Sequence, residues 1–190
     1  ILNKVDGKKK QIQALIVAPS QELAMQIVEV IREWTVDTDI TVQQLIGGAN
    51  SARQIEKLKK KPTIVVGTPG RLNELARSGK LKLKEIETIV LDECDQLLSR
   101  EYRVVVKSFI DGAAWGRQVV VVSATVTEEI ELVAERLMHE PVRIVIKPED
   151  MPKFGKVVHS FVKVDERDKT DMLRRLSNIE GVRGLAFVNN

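Results

Sequence analysis

Three acids within four residues, Asp92, Glu93 and Asp95, follow directly on an apolar run, Ile89-Val90-Leu91, that has no helical spacing. A short continuous apolar run of that kind reads as a strand buried on both faces of a parallel sheet. The acids then sit at its carboxyl end, the edge where open α/β sheets bind ligands. An adjacent Asp-Glu pair there suits a phosphate-bound magnesium ion and the water that attacks the phosphate. The plainer alternative is a set of solvated loop acids. Three carboxylates so close repel one another unless a cation or basic partners offset them.

The elements that must position these acids can be read on either side of them. A strand over 13–17 runs into Pro19 and Ser20, and Ser20 is placed to cap a helix carrying Leu23, Ile27, Val30, Ile31 and Trp34 on one face. A strand over 41–46 ends in Gly47-Gly48, and Ser51 with Gln54 has the spacing of a capping box for a short helix that Pro62 stops. A strand over 63–66 turns through Gly67 into Thr68-Pro69-Gly70-Arg71, with Thr68 as N-cap and Pro69 at the first helical position. Beyond the acids, helices are expected over 96–99 and 102–110, the second despite the β-favouring Val104-Val105-Val106. A buried strand over 118–122 ends in Ser123-Ala124-Thr125. Thr127 caps a helix with Ile130, Val133 and Leu137 inward, and 142–146 returns as a strand. Strands alternating with helices define an α/β chain with a parallel sheet and right-handed crossovers.

Composition changes at residue 147, where two prolines and a glycine among charges read as a linker over 147–156. Beyond it, 157–164 alternates like a strand, 169–177 reads as a helix and 184–188 as a buried strand, too little to close a second core. The expected organisation is therefore a domain over 1–146, the linker, and the incomplete start of a second domain over 157–190.

A hydrophobic share of 43% and a charged share of 30% belong to a soluble globular chain, and 30 basic against 27 acidic residues imply no bulk polycation. A polyanion site must then be a local patch. The lone Cys94 excludes an internal disulfide and agrees with a reducing compartment, so a cytoplasmic setting is expected. No apolar run approaches membrane-spanning length. The chain starts at Ile1 rather than Met and reads as an internal segment.

The strands before Pro19, Gly47, Thr68, Asp92 and Ser123 all release small, polar or Gly/Pro residues, so these loops should share one rim. In order, Pro19-Ser20-Gln21-Glu22-Leu23-Ala24, Gly47-Gly48, Thr68-Pro69-Gly70-Arg71, Asp92-Glu93-Cys94-Asp95 and Ser123-Ala124-Thr125 resemble the motifs of the DEAD-box ATP-dependent RNA helicases. Leu185-Ala186-Phe187-Val188-Asn189 is similar to the motif that opens the second RecA-like domain of that family. The resemblance implies a RecA-like parallel sheet with helices on both faces, followed by the beginning of a second such domain.

It also implies roles. Asp92 would help to hold Mg2+ on the phosphates of ATP, through water, and Glu93 would share that metal site and orient the attacking water. Asp95, Ser123 and Thr125 would couple the nucleotide state to interdomain closure and strand separation, since hydroxyls and a carboxylate in reach of one another can form a network with two arrangements. Pro19, Ser20, Gly47, Gly48, Thr68, Gly70 and Arg71 would lie along the RNA backbone, where helix N-termini and glycine-exposed amides bind phosphate without reading bases and Arg71 adds a charged fork.

Three departures from the family pattern stand out. Cys94 replaces the usual alanine, Ser20-Gln21 stands where Thr-Arg is usual, and no G-x-x-x-x-G-K-[S/T] phosphate loop occurs. In the family that loop precedes the point where this chain starts, and its strand lies inside the sheet. Its absence would leave neighbouring strands with unpaired backbone groups and an exposed apolar flank. The leading expectation is an RNA-stimulated ATPase that unwinds short duplexes, represented by an internal segment and inactive in these 190 residues alone. Its rival is a truncated, non-hydrolysing remnant that binds RNA or a partner. A DNA-directed or other nucleotide-dependent motor is a third reading.

Overall fold

Four largely apolar runs and the mixed Val42-Gln43-Gln44-Leu45 become five four-residue strands of one parallel sheet, seen in a computed structural model that describes residues 1–48, 51–125, 127–146, 158 and 160–187. The strands are β1 (Ala14–Val17), β2 (Val42–Leu45), β3 (Ile64–Gly67), β4 (Thr88–Leu91) and β5 (Gln118–Val121), in the spatial order β2-β3-β1-β4-β5. Helices α1 (Gln21–Trp34), α2 (Ser51–Lys59) and α3 (Pro69–Arg77) join the first four strands. Beyond β4 come α4 (Cys94–Leu97), α5 (Arg103–Gly112) and α6 (Glu128–Leu137), and much later α7 (Lys169–Ser177). Every strand pair is in register: Val17 lies level with Gly67 and Leu91, Gly67 with Leu45, and Leu91 with Val121.

Alternation along each strand divides the core in two. Leu15, Val17, Leu45, Val65, Ile89 and Leu91 pack with Leu58, Leu72, Leu75, Leu97, Val106 and Phe109 from α2 to α5. Ala14, Ile16, Ile64 and Val66 pack with Ala24, Val28 and Ile31 of α1. The helical fate of Val104-Val105-Val106 follows from this arrangement, since α5 buries Val106, Phe109 and Ile110 at i, i+3 and i+4 and that packing overrides the β preference.

The structure departs from the sequence pattern in several places. On α1 the buried stripe is Ala24, Val28 and Ile31, while Val30 and Trp34 stay exposed. The small Ala24 lets the helix approach the sheet along its own line, and the bulkier residues flank that line. The expected strand at 118–122 is shorter and only partly buried, because among the described residues it is the outermost strand and pairs with β4 alone, and α1 lies against β2 and β3 instead. Residues 142–146 form no strand and are exposed. Ser51 and Gln54 form no capping box: the helix begins at Ser51, and both side chains bond elsewhere.

The chain divides into two compact units, Ile1–Arg143 and Ile144–Asn190. In the second, α7 forms as expected, but the described residues of 157–164 and 184–188 are not strands and none of the unit's described residues is buried. The expected linker 147–156 lies outside the described residues, as do Val157, Val188 and Asn189.

Gly67 shows how tightly the sheet is built at its carboxyl edge. A Cβ at this position would sit 2.4 Å from the Leu45 carbonyl oxygen and 2.9 Å from Leu72 Cδ2, so β2, β3 and α3 meet only because the side chain is missing. Gly67→Ala should therefore destabilise the fold by about 1–3 kcal/mol, as overpacking does, read as a lower urea midpoint with an unchanged slope. An unchanged midpoint would show that the three elements have slack there.

Candidate functional site

The level register brings the five strand ends to one edge, and the backbone ladder continues one step beyond the strands. Ala18 N–H donates to the Gly67 carbonyl at 3.0 Å, Thr68 N–H to Leu45 at 3.2 Å, Asp92 N–H to Val17 at 3.0 Å and Val122 N–H to Leu91 at 2.9 Å. The loops carrying Pro19-Ser20, Gly47-Gly48, Thr68 to Arg71, Asp92-Glu93 and Ser123 to Thr125 thus share one rim, although more than a hundred residues separate the first from the last.

At the centre of the rim Glu93 adopts φ 50° and ψ 54°, a left-handed conformation that costs a residue with a Cβ about 1–2 kcal/mol. The surrounding bonds over-determine it. Glu93 N–H donates to Asp92 Oδ1 at 2.9 Å, the Glu93 carbonyl accepts from Gln96 and Leu97, and Cys94 N–H donates to the Val122 carbonyl at 2.9 Å. The half-buried Asp92 and exposed Glu93 are therefore delivered side by side, with Gln96 Nε2 donating to Glu93 Oε2 at 2.9 Å. Strain maintained at such a turn points to a functional position.

Asp95 lies one helical step behind and is held by hydroxyls. Ser123 Oγ stands 2.8 Å from Asp95 Oδ1 and 2.7 Å from the Thr125 carbonyl, while Thr125 Oγ1 donates to Asp95 Oδ2 at 2.9 Å. The Ser123 bond, reinforced by Thr125 and by nearby backbone N–H groups, holds the Asp95 carboxyl below its ordinary range against the opposing effect of desolvation. Between these acids Cys94 is buried in the core, and burial together with the charges of Asp95 and Asp92 raises its thiol, so it is a packing residue.

On the other side of the rim, Ser20 Oγ accepts from Leu23 N–H at 3.2 Å and caps α1, and Thr68 occupies the cap position of α3 with its hydroxyl making no capping bond. Gly48 takes φ 69°, and a Cβ on Gly70 would meet nothing within 4 Å, so both positions leave backbone open to an approaching group. Gln21 Nε2 lies 3.6 Å from the place a Gly47 Cβ would occupy.

Arg71 does not present its fork to solvent. It is 7% exposed, donating from Nη1 to both oxygens of Glu74 at 2.6 Å, from Nη2 to Ser51 Oγ at 2.7 Å and from Nε to Gln54 Oε1 at 3.4 Å. In place of the solvent-facing fork that the sequence suggested, the guanidinium ties α2 to α3. Gln54 was not a candidate from the sequence. The available signal was its spacing four residues before Leu58, which puts a polar side chain on the buried face of α2.

A five-stranded parallel sheet flanked by helices, with its loops on one rim, is an α/β fold of the RecA-like kind. The family model for DEAD/DEAH box helicases matches residues 1–133, and the chain belongs to that family. It is 43% identical over all 190 residues to the probable ATP-dependent RNA helicase YfmL of Bacillus subtilis (strain 168), covering 50% of that protein. It is 38% identical over the same 190 residues to the DEAD-box ATP-dependent RNA helicase CshC of Bacillus cereus, covering 48%. The chain therefore spans about half the length of these curated relatives. Among solved structures it resembles S. cerevisiae dbp5 bound to gle1 and ip6, at TM-score 0.69, 26% identity, and coverage of 77% of this chain and 37% of that one. A hypothetical ATP-dependent RNA helicase from Sulfolobus tokodaii follows at TM-score 0.62 and 29% identity, covering 68% and 39%.

The hydroxyl cage makes a direct prediction. Asp95 should titrate below the ordinary 3.8, and Ser123→Ala should raise that titration point, followed through the side-chain carboxyl carbon by NMR. The sign follows from linkage: a carboxyl depressed in the folded state adds stability above pH 3.8, lost as pH falls through the lower folded value. Ser123→Ala should therefore flatten the acid limb of the stability curve. An Asp95 titration unmoved by the substitution would mean that the hydroxyl does not hold it.

Proposed function

We propose that this chain is the part of an ATP-dependent RNA helicase that positions the magnesium carboxylates and one half of an RNA-backbone platform, coupling ATP hydrolysis to local duplex unwinding. The observation that carries this reading is the shared rim, where Asp92-Glu93, the Asp95–Ser123–Thr125 network and the N-termini of α1 and α3 stand along one sheet edge. Its expected compartment is the cytoplasm.

The donor set fits Mg2+ borne by a nucleotide. Asp92 uses Oδ1 for the Glu93 amide and keeps its other oxygen available, and Glu93 adds a second carboxylate beside it. Magnesium takes one or two protein carboxylates together with waters and substrate phosphates, and no group of three metal-ligating side chains occurs among the described residues. When bound, the ion would neutralise charge developing on the phosphates. Glu93, fixed by its turn and by Gln96, is set to accept a hydrogen bond from the attacking water and orient it. The phosphate cradle itself is proposed to come from outside these 190 residues, since they contain no phosphate-loop sequence.

RNA contacts on this reading are made to phosphate and sugar by Pro19, Ser20, Gly47, Gly48, Thr68 and Gly70, without base specificity. Asp95 with Ser123 and Thr125 then links the nucleotide side of the rim to closure against a second domain, of which 157–190 is the start.

In the full-length protein, Glu93→Gln should leave ATP binding nearly intact and slow hydrolysis by about 10²–10⁴-fold, the usual contribution of a positioned acid-base group. Hydrolysis at the parental rate would remove Glu93 from the mechanism. RNA should stimulate the ATPase more than DNA of the same sequence, because the 2'-hydroxyl distinguishes them. Failure of the parent protein to hydrolyse ATP while still binding RNA would favour a non-hydrolysing binding remnant instead.

A further inference from the structure

Gln54 is buried, and both ends of its amide are occupied. Nε2 donates to the Ile46 carbonyl at 2.9 Å, and Oε1 accepts from Arg71 Nε at 3.4 Å. Ile46 directly precedes the Gly47-Gly48 pair, and Arg71 stands in the first turn of α3. A single side chain on α2 thus joins the loop after β2 to the helix start after β3, while Ser51 and Glu74 hold the guanidinium from its two other sides.

The glycine pair has little else to fix it. A Cβ on Gly48 would meet nothing within 4 Å, one on Gly47 would reach only Gln21, and neither residue enters a cross-loop backbone bond among the described residues. A glycine pair has no side chains to hold it, and among the described residues the anchor beside it is the Ile46 carbonyl. The task suits an amide, which offers a donor to the carbonyl and an acceptor to the cation from one short group. A carboxylate would repel the carbonyl, and an aliphatic side chain would satisfy neither partner.

We propose that Gln54 is a positioning residue that fixes the separation between the Gly47-Gly48 loop and the N-terminus of α3, with Arg71 acting through it. The inference rests on the reading of the rim as an RNA-backbone site. A polyanion presents its charges at regular intervals, so two amide-lined grips engage it together only when their spacing is set beforehand. Arg71 consequently supports RNA binding from inside the fold without touching RNA.

The test uses Gln54→Met, Gln54→Glu and Thr68→Val in the full-length protein, with two single-stranded RNA oligonucleotides of unrelated sequence as probes. Affinity is measured across a salt series, alongside amide exchange at Gly47 and Gly48 and the thermal midpoint. Both Gln54 variants should bind both RNAs about fivefold more weakly, with a salt slope reduced by roughly one phosphate contact and faster exchange at the glycine pair. Gln54→Glu should be no better than Gln54→Met despite its stronger attraction for Arg71, because the lost element is the donor to Ile46. A role confined to stability would lower the midpoint and leave affinity and slope of the folded protein unchanged. Should Gln54→Met melt below the assay temperature, Arg71→Lys, which keeps the charge and loses the fork, should shift affinity and slope in the same direction. Weakening by Thr68→Val with parental affinity in the Gln54 variants would overturn this inference alone. Parental binding in all three would overturn the RNA reading of the rim, and this inference with it.

Discussion

The backbone hydrogen bonds that continue one residue past the strand ends are the constraint on which the rest depends. Ala18, Thr68, Asp92 and Val122 each donate to the last residue of a neighbouring strand. The loops after β1, β3, β4 and β5 are thereby fixed in height against one another before any side chain is considered, whereas the loop after β2 takes its anchor from Gln54. Buried backbone groups must be paired, and a slip of one residue would exchange the two faces of a strand that is apolar on both sides and specifically packed on each. The level rim is therefore a consequence of sheet formation, and chemically important residues inherit their placement from it.

Within that frame the side chains are held by three different means. Asp92 and Glu93 are placed by the backbone, through a left-handed turn that the Gln96, Leu97 and Val122 bonds lock. Asp95 is placed by two hydroxyls arriving from the neighbouring strand end. Arg71 is placed by burial, its charge offset by Glu74, with one Nη2 donor taken by Ser51 and Nε by Gln54. The exposed face of Glu74 means that the ion pair by itself adds little, so the geometry of the fork, more than its charge, ties α2 to α3.

Much of this was readable from residue order. Short β-favouring runs, apolar in all but Val42-Gln43-Gln44-Leu45, that end in Gly, Pro, Ser or Asp defined the five strands and their common edge, because strand burial and loop chemistry are local properties. What could not be read depends on neighbours. The inward side of α1 turned on the small Ala24 lying against the sheet, which periodicity alone ranks below Val30 or Trp34. The run 118–122 is as apolar as the central strands, but β5 has β4 on one side only. The run 142–146 has strand composition and no strand partner among the described residues. Arg71 had the right type and place for a phosphate contact, and two of the three side chains that hold it inward come from positions 17 and 20 residues earlier.

The Ser123 hydroxyl shows why a site of this kind can be more than a static scaffold. It carries one proton and stands within hydrogen-bond distance of two acceptors, Asp95 Oδ1 and the Thr125 carbonyl, while its own oxygen accepts from Thr125 N–H at 3.2 Å. With Asp95 ionised, the charge-assisted bond is the stronger of the two, and the carboxylate's low titration range agrees with that assignment. Any change that neutralises Asp95 or draws a cation towards it removes the advantage and frees the proton for the carbonyl. Asp95 lies two residues after Glu93, in a four-residue helix whose N-cap position Glu93 occupies, so no flexible segment separates it from the strained turn. Two acceptors competing for one proton, beside a turn that is itself strained, give the network two discrete arrangements, and the proposed coupling between a nucleotide side and a strand-binding side would draw on them.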